Sequence, residues 1–114
     1  MKKKLCLFVA LTLSVSLLGG CSKIQARMEI REGNDAYGRE DYKAALTHYS
    51  KAREIDSSFA ELDRMIGYSR IGLYTPEDNS PANEQNADAA VTELRKYLQK
   101  RPDDEIAREA LINL

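Results

Sequence analysis

The stretch Gly33–Ile55, GNDAYGREDYKAALTHYSKAREI, decides the fold. Its apolar residues Tyr42, Ala45, Leu46, Tyr49 and Ala52 follow spacings of three, four and seven, so they share one stripe of a 3.6-period helix. Gly33, Ala36 and Tyr37 close an earlier helix, and the polar Arg39-Glu40-Asp41 turns the chain between the two. One such hairpin has an apolar face and nothing to bury it against. Its pattern is therefore expected to recur.

It does recur. Gly33 returns as Gly67 and Ala26 as Ala60, both at an offset of 34. Tyr42, Ala45, Leu46 and Tyr49 map onto Ala87, Ala90, Val91 and Leu94, an offset of 45. The difference between the two offsets is the length of TPEDNSPANEQ, Thr75–Gln85, which carries two prolines and no apolar period. Residues 75–85 are read as a loop inserted into the second hairpin. The expected helices are Lys23–Gly38 behind a Ser22/Gln25 capping box and Tyr42–Ile55. A third runs from a Ser58/Glu61 capping box to Leu73, a fourth from Asn86 to Lys100, and a last one is capped by Asp103 or Asp104.

In this order the residues resemble the tetratricopeptide repeat family. The first repeat carries Gly33, Tyr37, Tyr42, Ala45, Leu46, Tyr49 and Ala52, then Asp56 at the turn. The second carries Ala60, Ile66, Gly67, Ala90, Val91, Leu94 and the turn proline Pro102. Departures are Ser57 in place of the first turn proline, Glu29 and Asp63 at bulky sites, Glu32 at an apolar site, and Tyr97 where the family has alanine. The resemblance covers residues 26–114 and implies an all-α fold of antiparallel helix hairpins stacked as a short α-solenoid. Repeat one is 26–59, repeat two is 60–104 with the loop 75–85, and 105–114 starts a third helix pair.

It further implies a concave groove, lined by the first helix of each hairpin, that holds a protein or peptide partner. The matching positions are Arg27, Ile30, Asn34 and Tyr37, then Glu61, Arg64, Tyr68 and Ile71. A variant of the family clamps a C-terminal carboxylate with cations and asparagines. Only Asn34 matches it, because Ile30, Met65, Ile106 and Ala110 stand at the other positions.

The chain opens with Lys2, Lys3 and Lys4 and an apolar run from Leu5 to Leu18. That is a signal-peptide length, short of the ~20 residues needed to cross a bilayer. Leu18-Gly19-Gly20-Cys21 resembles the lipobox of bacterial lipoproteins. The resemblance implies that 1–20 is a signal peptide, that Cys21 carries covalent lipid as the first mature residue, and that 21–25 is a short tether. Two or three acyl chains hold a protein on a membrane stably, whereas one of myristoyl length binds reversibly. Ser22 in place of aspartate resembles lipoproteins sorted to the outer membrane, facing the periplasm, rather than the inner membrane. Cys6 leaves with the signal, so the mature chain has no thiol for redox or metal chemistry.

From Cys21 onward there are 14 Lys and Arg against 18 Asp and Glu, a net charge of −4, and no cationic cluster of the kind nucleic acid requires. His48 is the only histidine, which excludes histidine-cluster metal sites. No glycine-flanked nucleophile is present. The pairs Glu40-Asp41 and Asp103-Asp104 stand at turns and suit helix caps. Glu77, Asp78 and Glu84 do not have calcium-loop spacing. No enzymatic activity, metal or cofactor is expected.

The last helix stays apolar to the final residue, with Ile106, Ala107, Ala110, Leu111 and Leu114, although solenoid ends normally present a polar face. Either the chain continues or a partner covers this end. The leading expectation is a membrane-anchored periplasmic scaffold that docks a protein partner. The alternatives are a module that self-associates through its exposed C-terminal helix, and the N-terminal part of a longer repeat lipoprotein.

Overall fold

A computed structural model of the chain describes residues 20–114 in full and residues 2–19 by backbone alone. The side chains of the expected signal segment therefore lie outside the described residues. The chain folds into five helices: α1 Lys2–Gly38, α2 Tyr42–Ile55, α3 Glu61–Leu73, α4 Pro81–Lys100 and α5 Glu105–Ile112. Each packs against its neighbours in sequence, as short connections between helices dictate. Among the described residues no helix is long and apolar enough to cross a membrane.

The helix starts follow local chemistry. Asp41 accepts a hydrogen bond from the Ala44 backbone N–H (3.1 Å), Ser80 from Asn83 (3.3 Å) and Asp104 from Ala107 (3.0 Å). Each satisfies one donor that a first turn leaves without an intrahelical partner. Pro81 at the first turn of α4 costs nothing there, since its missing N–H would have no partner. Between α1 and α2, Glu40 takes a left-handed conformation (φ 61°) and closes the turn with a bond from its N–H to the Tyr37 carbonyl.

Two expected capping boxes do not form. Ser22 lies within α1, which runs continuously through it. Ser58 is drawn into a turn instead, its backbone N–H bonding to Asp56 Oδ1 (2.9 Å), and α3 starts at Glu61 behind Ala60 with no side-chain cap. Glu61 and Asp63 complement the helix dipole there.

The extra segment of the second hairpin is not all loop. The α1–α2 turn covers 39–41 and the α3–α4 connection covers 74–80. α4 has 20 residues against 14 in α2, and both end at corresponding positions, Ile55 and Lys100. More than half of the extra length therefore extends the start of α4, and most of the remainder lengthens the connection. Residues 81–85, read from sequence as loop, are helical. Asn83, only 5% exposed, holds the connection: its Nδ2 donates to the Thr75 and Asp78 carbonyls and its Oδ1 accepts from the Thr75 N–H.

Two apolar clusters form the core. The first joins Ala36 of α1, Ala45, Tyr49 and Ala52 of α2, and Leu62 and Ile66 of α3. The second joins Leu94 and Tyr97 of α4 with Ala107 of α5, under Tyr68, Ile71 and Leu111. The hairpins share one packing device. A β-carbon on Gly33 would come 2.5 Å from the Tyr49 ring, and one on Gly67 would come 3.0 Å from Leu94 Cγ. Glycine lets a bulky residue of the partner helix press onto the backbone in both hairpins, at positions related by the two sequence offsets.

Charged residues stitch the outside of the stack. The Arg53 guanidinium of α2 reaches Glu93 (2.8 Å) and Asp63 (3.5 Å), and Lys100 adds a 2.8 Å bond to Asp63. Both acids are nearly buried, so removing either cation leaves a carboxylate poorly compensated. On the α1–α2 side, Glu29 is held by Lys51 and by His48 Nδ1 (2.8 Å), which keep its carboxyl below the usual range. Asp104 is likewise held down, by the Ala107 N–H first and then the Tyr97 hydroxyl. Both groups bind protons less readily folded than unfolded, so they contribute stability above their ordinary values of 4.5 and 3.8, lost as pH falls through the depressed folded values. The urea midpoint is expected to be flat from neutrality to about pH 5 and to fall below it. Asp104→Asn should make that fall shallower when midpoints are measured against pH.

Candidate functional site

The end of α1, the start of α2, α3 and α5 line an open groove of about 300 Å³. Tyr37, near the end of α1, meets Tyr42, the first residue of α2, edge to face with centroids 5.2 Å apart. Such a pair is favourable because ring edges are electropositive and ring faces electronegative. Tyr68, Ile71 and Gly72 supply the α3 wall, and Ile106 and Ala110 the α5 wall. The Tyr42 ring lies directly on Gly72, where a β-carbon would meet it at 2.5 Å. This glycine keeps the tyrosine in the groove.

Burial raises the pKa of both Tyr37 and Tyr68, so their hydroxyls remain protonated donors at neutral pH. The Tyr68 hydroxyl is buried without a hydrogen-bond partner among the described residues. A buried polar group left unsatisfied costs roughly 1–3 kcal/mol. Ile106, at the rim, is 73% exposed. The groove is therefore apolar in its walls and aromatic at one end.

Of the eight groove positions read from sequence, the structure brings three together here: Tyr37, Tyr68 and Ile71. The other five make contacts between elements of the stack. The Arg27 guanidinium lies 5.9 Å above the Phe59 ring, and Ile30 packs against the first core cluster. Asn34 accepts from the Tyr49 hydroxyl (2.8 Å). Glu61 lies 3.8 Å from Arg101. Arg64 bonds Asp104 (3.2 Å) while lying 5.3 Å above the Tyr97 ring, which docks the start of α5 onto α3 and α4. Ile106 and Ala110, which stand at carboxylate-clamp positions of the repeat pattern without the clamp's side chains, also line the groove, as do Tyr42 and Gly72, which the pattern does not assign to it.

A larger cleft of about 550 Å³ lies between α2, α3 and the α4 extension. Its lining is mixed and mostly polar, including Lys43, Thr47, Asp78 and Asn86, and its Arg70 is engaged by Asn86 Oδ1 (2.9 Å). Predominantly apolar and aromatic walls make a better recognition site than a mostly polar cleft, whatever their sizes. Among the described residues no cluster of three metal-ligating side chains occurs. Cys21 is free and exposed.

No protein-family model matches this chain, and no solved structure matches it significantly.

Proposed function

We propose that the chain is a lipid-anchored, tetratricopeptide-like adaptor of the bacterial envelope, non-enzymatic, whose groove takes an apolar segment of a protein partner. The observation that carries this reading is the groove itself: Tyr37, Tyr42, Tyr68, Ile71 and Ile106 present apolar and aromatic surface to solvent with no segment of the described chain covering it. Exposed aromatic and aliphatic side chains in a concave site supply most of the energy of protein recognition. The solenoid reading is supported by the matched Gly33–Tyr49 and Gly67–Leu94 contacts at the two repeat offsets. Attachment through Cys21 rests on the Leu18–Cys21 motif, as does an outer-membrane address facing the periplasm on Ser22 beside it. No metal or cofactor enters this reading, and the lipid is covalent.

A photocrosslinking residue in place of Ile106, in intact cells, tests the proposal. Benzoylphenylalanine there should give a discrete adduct with a different protein, and Gly72→Ala, which displaces Tyr42, should weaken it by more than any loss of folded protein, followed by circular dichroism, accounts for. Absence of any adduct would refute the groove as a docking site. The second reading, self-association, is favoured by Ile106 and Ile112 on α5, 73% and 74% exposed. Adducts containing only this chain would establish it.

A further inference from the structure

Met28 and Leu62 occupy equivalent positions of the two hairpins, yet Leu62 is 1% exposed and Met28 63%. Leu62 belongs to the cluster formed with Ala45, Tyr49 and Ala52, because α2 lies against that side of α3. Among the described residues no helix takes the corresponding place beside α1. Ile24, one turn earlier, is 61% exposed as well. At about 100° per residue, Cys21, Ile24 and Met28 fall within a sector of about 60°, on the side opposite the buried Ala26 and Gly33. The residue expected to carry lipid and the two exposed apolar residues thus form one stripe. It continues onto α2, where Lys51 and Ile55 meet Met28 around a hollow of about 260 Å³.

The charge on this stretch has a sign. Between Cys21 and Arg31 lie three cations, Lys23, Arg27 and Arg31, and one acid, Glu29, which His48 and Lys51 already hold. The acids Glu32 and Asp35 come only afterwards. Arg31 borders the stripe beside Ile24, with Arg27, over the Phe59 ring, and Lys23 farther round the same side of the helix. An anionic phospholipid surface takes up apolar side chains with cations along one border: the apolar groups enter the headgroup boundary and the cations meet phosphate.

We infer that this edge of the helix stack rests on an anionic phospholipid surface, with Ile24 and Met28 in the headgroup region beside the lipid on Cys21. The inference rests on the reading of Cys21 as the acylated residue. Geometry favours the membrane over a protein as occupant. Only Ser22 and Lys23 separate Cys21 from Ile24, so the anchor and the apolar stripe stay close together. Met28 is about 10 Å along the axis from Cys21. A helix lying in the interface keeps both at one depth, within the roughly 5–10 Å that an apolar helix face reaches into the headgroup boundary. Beyond Arg31, Glu32 and Asp35 lift α1 off the anionic surface and leave the α3–α5 groove facing the aqueous side.

The test uses the full-length chain produced in bacteria, with Met28→Cys carrying an environment-sensitive nitrobenzoxadiazole probe and Glu109→Cys as the distal control. Both are placed in phosphatidylcholine vesicles with and without phosphatidylglycerol, and incorporation of labelled palmitate reports acylation of Cys21 separately. The expected result is an acylated protein whose Met28 probe is blue-shifted and quenched by brominated acyl chains more strongly with phosphatidylglycerol, while the Glu109 probe stays in water. Lys23→Glu with Arg31→Glu should remove that difference. An acylated protein whose Met28 probe remains in water overturns the inference and leaves the anchor standing. A probe shielded from water but not quenched by lipid means that protein, a second copy included, covers the edge, and also overturns it. Equal quenching in both vesicle types overturns the anionic preference. An unacylated Cys21 removes the anchor and the inference together.

Discussion

Leu94→Ala is expected to lower the unfolding free energy by about 2–5 kcal/mol, read as a drop in the urea midpoint at unchanged slope. Leu94 has no solvent exposure and packs with Tyr97 and Ala107 in the second cluster. Its side chain also lies against the backbone at Gly67, with Cγ 3.0 Å from where a β-carbon would be. Truncation therefore removes buried methyl groups and opens a cavity between α3 and α4. A small domain has only about 5–15 kcal/mol in total. Much of it would be lost. A loss below about 1 kcal/mol would mean that α3 and α4 do not pack as described.

The second large effect is one of sign. Gly33→Ala places a methyl group 2.5 Å from the Tyr49 ring, which is 2% exposed and fixed by its hydroxyl bond to Asn34. Burial pushes the Tyr49 hydroxyl up to about 12, so it stays a donor throughout the useful pH range. The ring cannot retreat without losing that bond. Overpacking of this kind costs about 1–3 kcal/mol. In the Tyr49→Ala background the obstacle is gone, and the same substitution should stabilise by up to about 1 kcal/mol, the helix-propensity difference between alanine and glycine. The double-mutant cycle should therefore show strong non-additivity. Additive effects of the two substitutions would remove the glycine–tyrosine contact as the device that sets the helix separation.

Sequence alone determined the elements that depend on local patterning. The stripe of Tyr42, Ala45, Tyr49 and Ala52 placed α2 at its observed bounds, and Asp41 and Asp104 were legible as residues at helix starts because short acidic side chains reach the free N–H groups of a first turn. The all-helical architecture followed from the period of the apolar residues, and the extra segment of the second hairpin from the mismatch of the two offsets. The tertiary structure decided what that segment becomes. Residues 81–85 could have been loop, but Ser80 and Pro81 start a helix there and Asn83 satisfies the polar groups of the connection.

The candidate site divided in the same way. Tyr37, Tyr68 and Ile71 were found because the first-helix positions of the repeat pattern share one face. Helical phase does not say which face-mates a neighbouring helix will claim. Asn34 went to Tyr49, and Arg64 went to Asp104, far along the sequence. Tyr42, which the stripe assigned to the core, lines the groove because Gly72 on α3 leaves room for its ring. Such pairings depend on how two helices approach one another. That distance is set by the summed shapes of residues far apart in the chain, whereas a cap or a stripe is set by residues within one or two turns.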